Sequence, residues 1–398
     1  MSAKLISRSP DLQRLQNEGY EVEVRSGYLL LHSVPYVNSR SEIARGILAT
    51  DLTLNNDQTQ RPGDHQVWFA GDLPCNRDGS ALSAIGARSS VQALCEGFVV
   101  QHRFSCKPPN GYPDYYTKMT QYVEIISNHA RALDPSVSAQ TFKPIVASED
   151  DSVFIYTDSA SSRAGIAVLA KKLAMDKVAI VGLGGTGSYV LDLVAKTHVR
   201  ELHLFDGDQF LQHNAFRAPG AASLEILNAQ PSKVAHYANV YSQMRRGVVP
   251  HEQYLDNHMI EQLVGFDFVF LCVDKPVVRK LVSDFLHRQQ IPFIDVGMEL
   301  ELIEEQQCLI GTCRVTLCSP AKSDHFSRHV SLAEHGADDI YDSNIQVADL
   351  NALNAAMAVI RWKKYCGFYQ DCYQEHQSAY AINAHQLTRD EVLGGNPT

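Results

Sequence analysis

The chain has 398 residues, 45% of them hydrophobic, and a formal net charge of −10. That length calls for two or three domains with real cores, and that charge argues against nucleic acid or an anionic membrane as the main partner. No apolar run approaches the roughly 18 residues of a membrane span, the start Met1-Ser-Ala-Lys-Leu-Ile-Ser-Arg8 lacks a signal-peptide core, and nine cysteines without one C-x-x-C pair suit neither a disulfide scaffold nor structural zinc, so a cytoplasmic protein with reduced thiols is expected.

Residues 1–150 read as a first, α+β unit. Tyr20-Glu-Val-Glu-Val-Arg25 alternates, Ser26-Gly27 turns and Tyr28-Leu-Leu-Leu-His-Ser-Val34 follows, the pattern of a hairpin. Asn55 to Asp64 is polar and loop-like. His65 to Gly71 and Phe98 to Cys106 read as strands, and Pro108-Pro-Asn-Gly-Tyr-Pro-Asp114 as a loop. Asp114 is placed to cap a helix whose Tyr115, Met119, Tyr122 and Ile126 share one apolar face. His65, Cys75, His102 and Cys106 are the residues of this unit with chemistry to offer, and no established constellation joins them.

Residues 151–375 read as a second domain and 376–398 as a polar tail. Ser148 to Ser162 has the composition of a boundary, and Ser161 or Ser162 is placed to cap a helix carrying Arg163, Ile166, Leu169 and Leu173. Lys177-Val-Ala-Ile-Val181 is a buried strand. It runs into Gly182-Leu-Gly-Gly-Thr-Gly187-Ser188 and then a helix, the G-x-G-x-x-G spacing that cradles phosphate on a helix N-terminus. Leu202-His-Leu-Phe205 is a second strand ending in Asp206, where an acid for ribose hydroxyls is expected about 20 residues after the glycines. Phe266 to Val273 ends in Asp274, Pro276 to Arg288 is a helix, and Pro292-Phe-Ile-Asp295-Val-Gly297 is a fourth strand ending in an acid. Leu309 to Leu317 suits an antiparallel strand. Ile345 to Trp362 suits a long helix with Leu350, Leu353, Met357 and Ile360 on one side. Alternating strands and helices predict a Rossmann-like, mostly parallel sheet.

In such sheets ligands sit beyond the C-terminal strand ends, where Gly182, Gly184, Gly185, Thr186, Gly187, Asp206, Asp208, Asp274 and Asp295 all fall. Several acids beside phosphates repel unless a hard cation joins them, so Asp274 is the candidate Mg²⁺ ligand, with a helix N-cap beside Pro276 as its other reading. Asn214, Arg217 and Lys233 follow Asp208 and suit a triphosphate. The glycine loop and Asp206 alone also admit NAD, so an NAD-dependent oxidoreductase and a non-catalytic nucleotide-binding scaffold stay open.

The ordered set Gly182-Leu-Gly-Gly-Thr-Gly187, Leu204-Phe-Asp206-Gly-Asp208, Asn214-Ala-Phe-Arg217, Lys233, Cys272-Val-Asp274, Pro292 to Gly297 and Gly311-Thr-Cys-Arg-Val315 resembles the ubiquitin-activating-type adenylyltransferases, the ThiF/MoeB superfamily. The first unit resembles an uncharacterised domain fused before such modules in bacterial proteins, some from ubiquitin-like operons. The resemblance implies adenylation of the C-terminal carboxylate of a ubiquitin-like protein with MgATP. It places the nucleotide on the loop from Gly182 to Gly187, ribose on Asp206, phosphates on Arg217 and Lys233 with Asn214 beside them, and Mg²⁺ on Asp274. It also implies a homodimer in which Arg163 is lent to the partner's site. For residues 1–150 two roles stand: recognition of a protein partner, or a conjugating-type domain acting through Cys75 or Cys106.

Two departures matter. The paired C-x-x-C zinc ligands of many members are absent. The crossover loop, about Ala321 to Asp342, has no cysteine to take the acyl group. Adenylation without a covalent intermediate is therefore expected. The other routes are transfer to Cys318, or an oxyester on Ser327 between His325 and His329.

Overall fold

The computed structural model describes residues 2–56, 58–82, 84–95, 97–145, 152–156, 158, 160–161, 166–332 and 345–390. The chain divides into two compact units, Met1–Val168 and Leu169–Thr398.

The first unit is an antiparallel sheet with helices. Its strands are β1 (Val22–Arg25), β2 (Tyr28–Val37), β3 (Ile43–Asp51), β6 (Gln66–Ala70), β7 (Gly86–Cys95) and β8 (Phe98–Ser105), in the order β1-β2-β3-β6-β8-β7. A separate small hairpin, β4 (Leu54–Asn55) with β5 (Gln58–Thr59), occupies the stretch read as loop. The turn between β1 and β2 has Ser26 and Gly27 both at positive φ, the backbone that matches strand twist in a two-residue hairpin. The helix Tyr115–Leu133 starts where Asp114 accepts a hydrogen bond from the Thr117 N–H at 2.7 Å, and it buries Tyr115, Met119, Tyr122 and Ile126. Two elements escape sequence patterning for opposite reasons. β3 is interrupted by Gly46, where a Cβ would meet the Phe69 ring. β7 is an edge strand exposed along most of its length, so it needs no apolar face.

The second unit is an eight-stranded sheet in the order β11-β10-β9-β12-β13-β14-β15-β16. β9 (Lys177–Val181), β10 (Glu201–Phe205), β11 (Val248–His251), β12 (Phe268–Leu271) and β13 (Phe293–Ile303) run parallel. β14 (Cys308–Cys318), β15 (Gln377–Ala381) and β16 (Gln386–Arg389) continue the sheet antiparallel. The strand order reverses between β9 and β12, the switch point at which ligands bind in open α/β sheets. Four sequence expectations change. Residues 377–389, read as polar tail, form the sheet edge. β13 runs on to Ile303, so Asp295 lies inside the strand, fully buried, with Arg279 at 3.0 Å and Arg314 at 2.7 Å. The helix Ala348–Tyr365 does not bury the leucine side; it buries Asn351, Asn354, Ala355, Ala358, Val359 and Trp362, while Ile360 is exposed. Around Arg163 the structure has the short helix Ala167–Ala170 and a 3-10 turn to Leu173, but Ser162 and Arg163 lie outside the described residues.

Candidate active site

The loop between β9 and the helix Gly185–Ala195 is shaped by its glycines. Gly182 has φ of +88°, and a Cβ there would sit 2.7 Å from the Cys272 carbonyl oxygen at the end of β12. A Cβ on Gly187 would fall on the Gly182 carbonyl oxygen. Gly184, the N-cap residue, has nothing within 4 Å of its missing Cβ, and among the described residues no side chain caps the helix. The first-turn N–H groups therefore remain available to an anion.

Asp206, just beyond β10, is aimed at this loop. Its carboxylate accepts hydrogen bonds from the Leu183 N–H at 2.7 Å and the Asp208 N–H at 2.8 Å. Lys233 opens the helix Lys233–Tyr241 and is 6% exposed; its ammonium donates to Asp208 at 2.6 Å and lies 3.6 Å from Asp206. Burial works against the Asp208 charge, yet hydrogen bonds from Lys233 and Tyr254 outweigh it and hold its pKa below the usual carboxylate value. The Tyr254 ring lies against Gly207, where a Cβ would meet it, and Lys275 stands 5.6 Å from the ring centre.

Arg217 and Asn214 flank the same end of the sheet. The Asn214 side-chain Oδ1 accepts from the Leu211 N–H at 2.8 Å, while its buried Nδ2 and the buried Nε of Arg217 have no protein partner among the described residues. A buried donor without a partner is costly, so these two groups suit oxygens of a ligand. Tyr237, one turn after Lys233, brings its hydroxyl beside Ser188 with the charges of Asp206 and Arg217 in range; burial pushes its pKa up. Asp274 is exposed two residues past Cys272; the N-cap of the helix Pro276–Gln289 is Lys275, not Asp274. Among the described residues no three His, Cys, Asp or Glu side chains gather as a metal site.

Thus the structure brings together Gly182, Gly184, Gly185, Thr186, Gly187, Asp206, Asp208, Asn214, Arg217 and Lys233, with Asp274 following Val273, whose nitrogen lies 3.2 Å from where a Gly182 Cβ would sit. It does not bring Cys318 or Ser327 to them. Cys318 pairs with Phe293, which is level with Val269, whereas Leu271 is level with Val181 and the loop begins beyond it. Phe326 packs on Phe293 and His287, so Ser327 sits exposed toward the strand ends opposite the loop. Cys318 is buried, and burial raises its pKa, which suppresses the reactive thiolate. His325 is buried with its Nε2 2.9 Å from the Leu317 carbonyl, not turned to serve Ser327 as a base. His329 faces Asp390 at 2.8 Å.

In the first unit each of the four candidates has its own partners. His65 meets Ser105 at 3.0 Å, His102 meets Ser89 at 3.0 Å, and Cys75 is buried with a raised pKa. The Cys106 backbone is tied to Tyr122 and Tyr112. Sequence reasoning missed Asn351, Tyr237 and Tyr254. Asn351 carried one signal: with Asn354 it places a second amide one turn on among the alanines of one helix.

The open helix terminus, the aimed acid and the buried lysine at a sheet switch point define a Rossmann-like nucleotide-binding module with the ThiF-type adenylyltransferase fold. Residues 156–360, just over half of the chain, match the ThiF family, and the chain belongs to it. Residues 10–159 match a domain of unknown function, DUF6791. Similar solved structures include the microcin C7 biosynthetic enzyme MccB in complex with N-formylated MccA, 18% identical with a TM-score of 0.46 over 58% of this chain and 70% of that one. Others are E. coli MccB with AMPCPP and MccA, at 18% and 0.45 over 72% and 84%, and PaaA, at 18% and 0.44 over 57% and 76%. No curated protein matches the sequence.

Proposed function

We propose that the chain uses MgATP to adenylate the C-terminal carboxylate of a ubiquitin-like protein or a related peptide. A substrate carboxylate oxygen attacks the α-phosphorus, the bond to the bridging oxygen of the β-phosphate breaks, and pyrophosphate leaves. The observation that carries this reading is the pairing of an uncapped helix N-terminus at Gly184 with the aimed carboxylate of Asp206 and the buried ammonium of Lys233. The loop N–H groups take phosphate, Asp206 takes the ribose hydroxyls, and Arg217 and Lys233 offset charge on the leaving pyrophosphate. The unpartnered Asn214 Nδ2 and Arg217 Nε fit that role. Asp274 would hold Mg²⁺, which supplies charge neutralisation between carboxylate and phosphate oxygens. A nicotinamide cofactor would leave Arg217, Lys233 and Asp274 without work.

The adenylate is the end product on this reading, since neither Cys318 nor Ser327 faces the loop. A homodimer, a cytoplasmic setting, a conjugating-enzyme-like partner and a partner-recognition role for residues 1–150 complete the proposal. ATP–pyrophosphate exchange with a ubiquitin-like protein ending in a free glycine carboxylate tests it. Exchange that depends on that carboxylate supports adenylation. No exchange with protein or peptide carboxylates, together with tight nicotinamide binding, would overturn it. Asp274→Ala should abolish magnesium-dependent exchange; intact magnesium-dependent exchange would remove Asp274 from the metal role.

A further inference from the structure

We infer that Asn351 is a positioning residue of this site, locking the first turn of the glycine-loop helix and the Arg217 main chain into one arrangement; the inference rests on the adenylation reading above. Asn351 is fully buried in the first turn of the helix Ala348–Tyr365. Its Oδ1 accepts a hydrogen bond from the Thr186 hydroxyl at 2.9 Å. Its Nδ2 reaches the Arg217 carbonyl oxygen at 3.5 Å. The same amide lies over Gly185, where a Cβ would collide with it. One side chain thus joins three segments far apart in sequence.

The chemistry follows from proton count. A threonine hydroxyl has a single proton to donate. With that proton given to Asn351, Thr186 has none for a phosphate oxygen, so the phosphate donors at this terminus are backbone N–H groups. Thr186 then serves to hold those groups in direction. Arg217 is fixed through its carbonyl, which leaves its side chain free to meet the leaving pyrophosphate. A leucine would fill similar space and supply none of these bonds. Asn354, one turn on and also buried, makes the neighbouring tie, donating to the Gly297 carbonyl at 2.9 Å.

The test uses the full chain, with exchange measured per folded molecule and melting followed without nucleotide. Asn351→Ala and Thr186→Val should each lower kcat about tenfold, because small misplacements of a reacting geometry are expensive. KM for ATP should move by less than about threefold, since no phosphate contact is deleted. The double variant should be no worse than either single, as for partners in one bond. Gly185→Ala should lower the melting temperature and cut exchange below the Asn351→Ala level, and adding Asn351→Ala should restore much of the melting temperature and raise exchange back to that level by removing the collision. A merely structural amide would lower the melting temperature and leave kcat of the folded fraction unchanged; that result, multiplicative single effects or absent suppression would overturn the inference. Should wild type show no exchange, the adenylation reading fails. Suppression of Gly185→Ala in the melts would then still report on the contact alone.

Discussion

Among the described residues each unit buries one lysine, and the two are bonded differently. In the first unit Lys118 donates to Thr50 Oγ1 at 2.8 Å, to the Asp64 carbonyl at 3.1 Å and to the Asp64 carboxylate at 3.2 Å. An ammonium has three protons, and all three are spent within the fold. Burial pulls its pKa down, with Asp64 opposing. In the second unit Lys233 bonds Asp208 and faces Asp206, beneath a helix terminus that no side chain caps. The first lysine is saturated and holds a sheet to a helix. The second keeps charge next to unfilled backbone donors, an arrangement that makes sense when a polyanion arrives. Burial alone does not mark a functional lysine; spare bonding capacity around it does.

The sharpest way to break this comparison is at Lys233. Lys233→Ala should lower pyrophosphate exchange on the order of 10²-fold or more, the cost of removing one transition-state donor, with folding retained by circular dichroism. Full activity would sink its role. Lys118→Ala should instead cost roughly 2–3 kcal/mol in denaturant unfolding of the first unit, because Asp64 loses its partner while staying half exposed. Here the exchange rate per folded molecule should hold.

A smaller effect separates the two ends of the eight-stranded sheet by pH. His325 is buried at the strand ends away from the loop, and burial depresses its pKa, with His376 and His329 adding to the effect and the Leu317 carbonyl and Asp324 opposing it. The folded chain takes up this histidine's proton at a lower pH than the unfolded chain, which takes it up below about 6.5. The histidine's stability contribution is therefore complete above about pH 6.5 and is lost as pH falls from there toward the folded value, by at most about 1.4 kcal/mol per pH unit. His325→Gln should flatten unfolding free energies measured between pH 7.5 and 5.5; an unchanged slope would show that other groups carry it. The smallest expected effect is at Ser327 and Cys318. Ser327→Ala should change exchange by less than about twofold. In the native chain exposed Cys308 and Cys372 should alkylate well before Cys318. An acyl adduct recovered on Ser327 or Cys318 would collapse the distinction between the ends.

What could be read from sequence was local. The loop, β9, β10 and Asp206 follow from strand periodicity meeting a glycine run, and all of that lies within about 30 residues, the span of one βαβ unit. Asp206 and Asp295 look alike in sequence, each closing an apolar strand. They part company only through non-local neighbours: backbone N–H groups for Asp206, and the guanidinium groups of Arg279 and Arg314 for Asp295. The helix Ala348–Tyr365 misleads for a related reason. Its apolar stripe suggests the leucine side faces inward, but Ala355 and Ala358 let the other side pack among Val190, Leu191 and Val194, with Asn351 over Gly185. Close approach to a glycine loop rewards small and amide side chains over large apolar ones. The edge strands β15 and β16 were illegible because the exposed β16 buries little that is apolar.

The long β13–β14 ladder has a consequence of another kind. At its root Phe293, Ile294 and Asp295 are bonded to β12 on one side and to β14 on the other, while the outer pairs, Glu301 with Ile310 and Ile303 with Cys308, bond only each other among the described strands. Amide protons along this one hairpin should therefore exchange with solvent on a gradient. Those at the outer end should escape through local fraying, and those at the root only when the whole sheet opens. Deuterium uptake read residue by residue along β13 would thus measure, in a single strand, the distance between the most labile and the most protected parts of the domain.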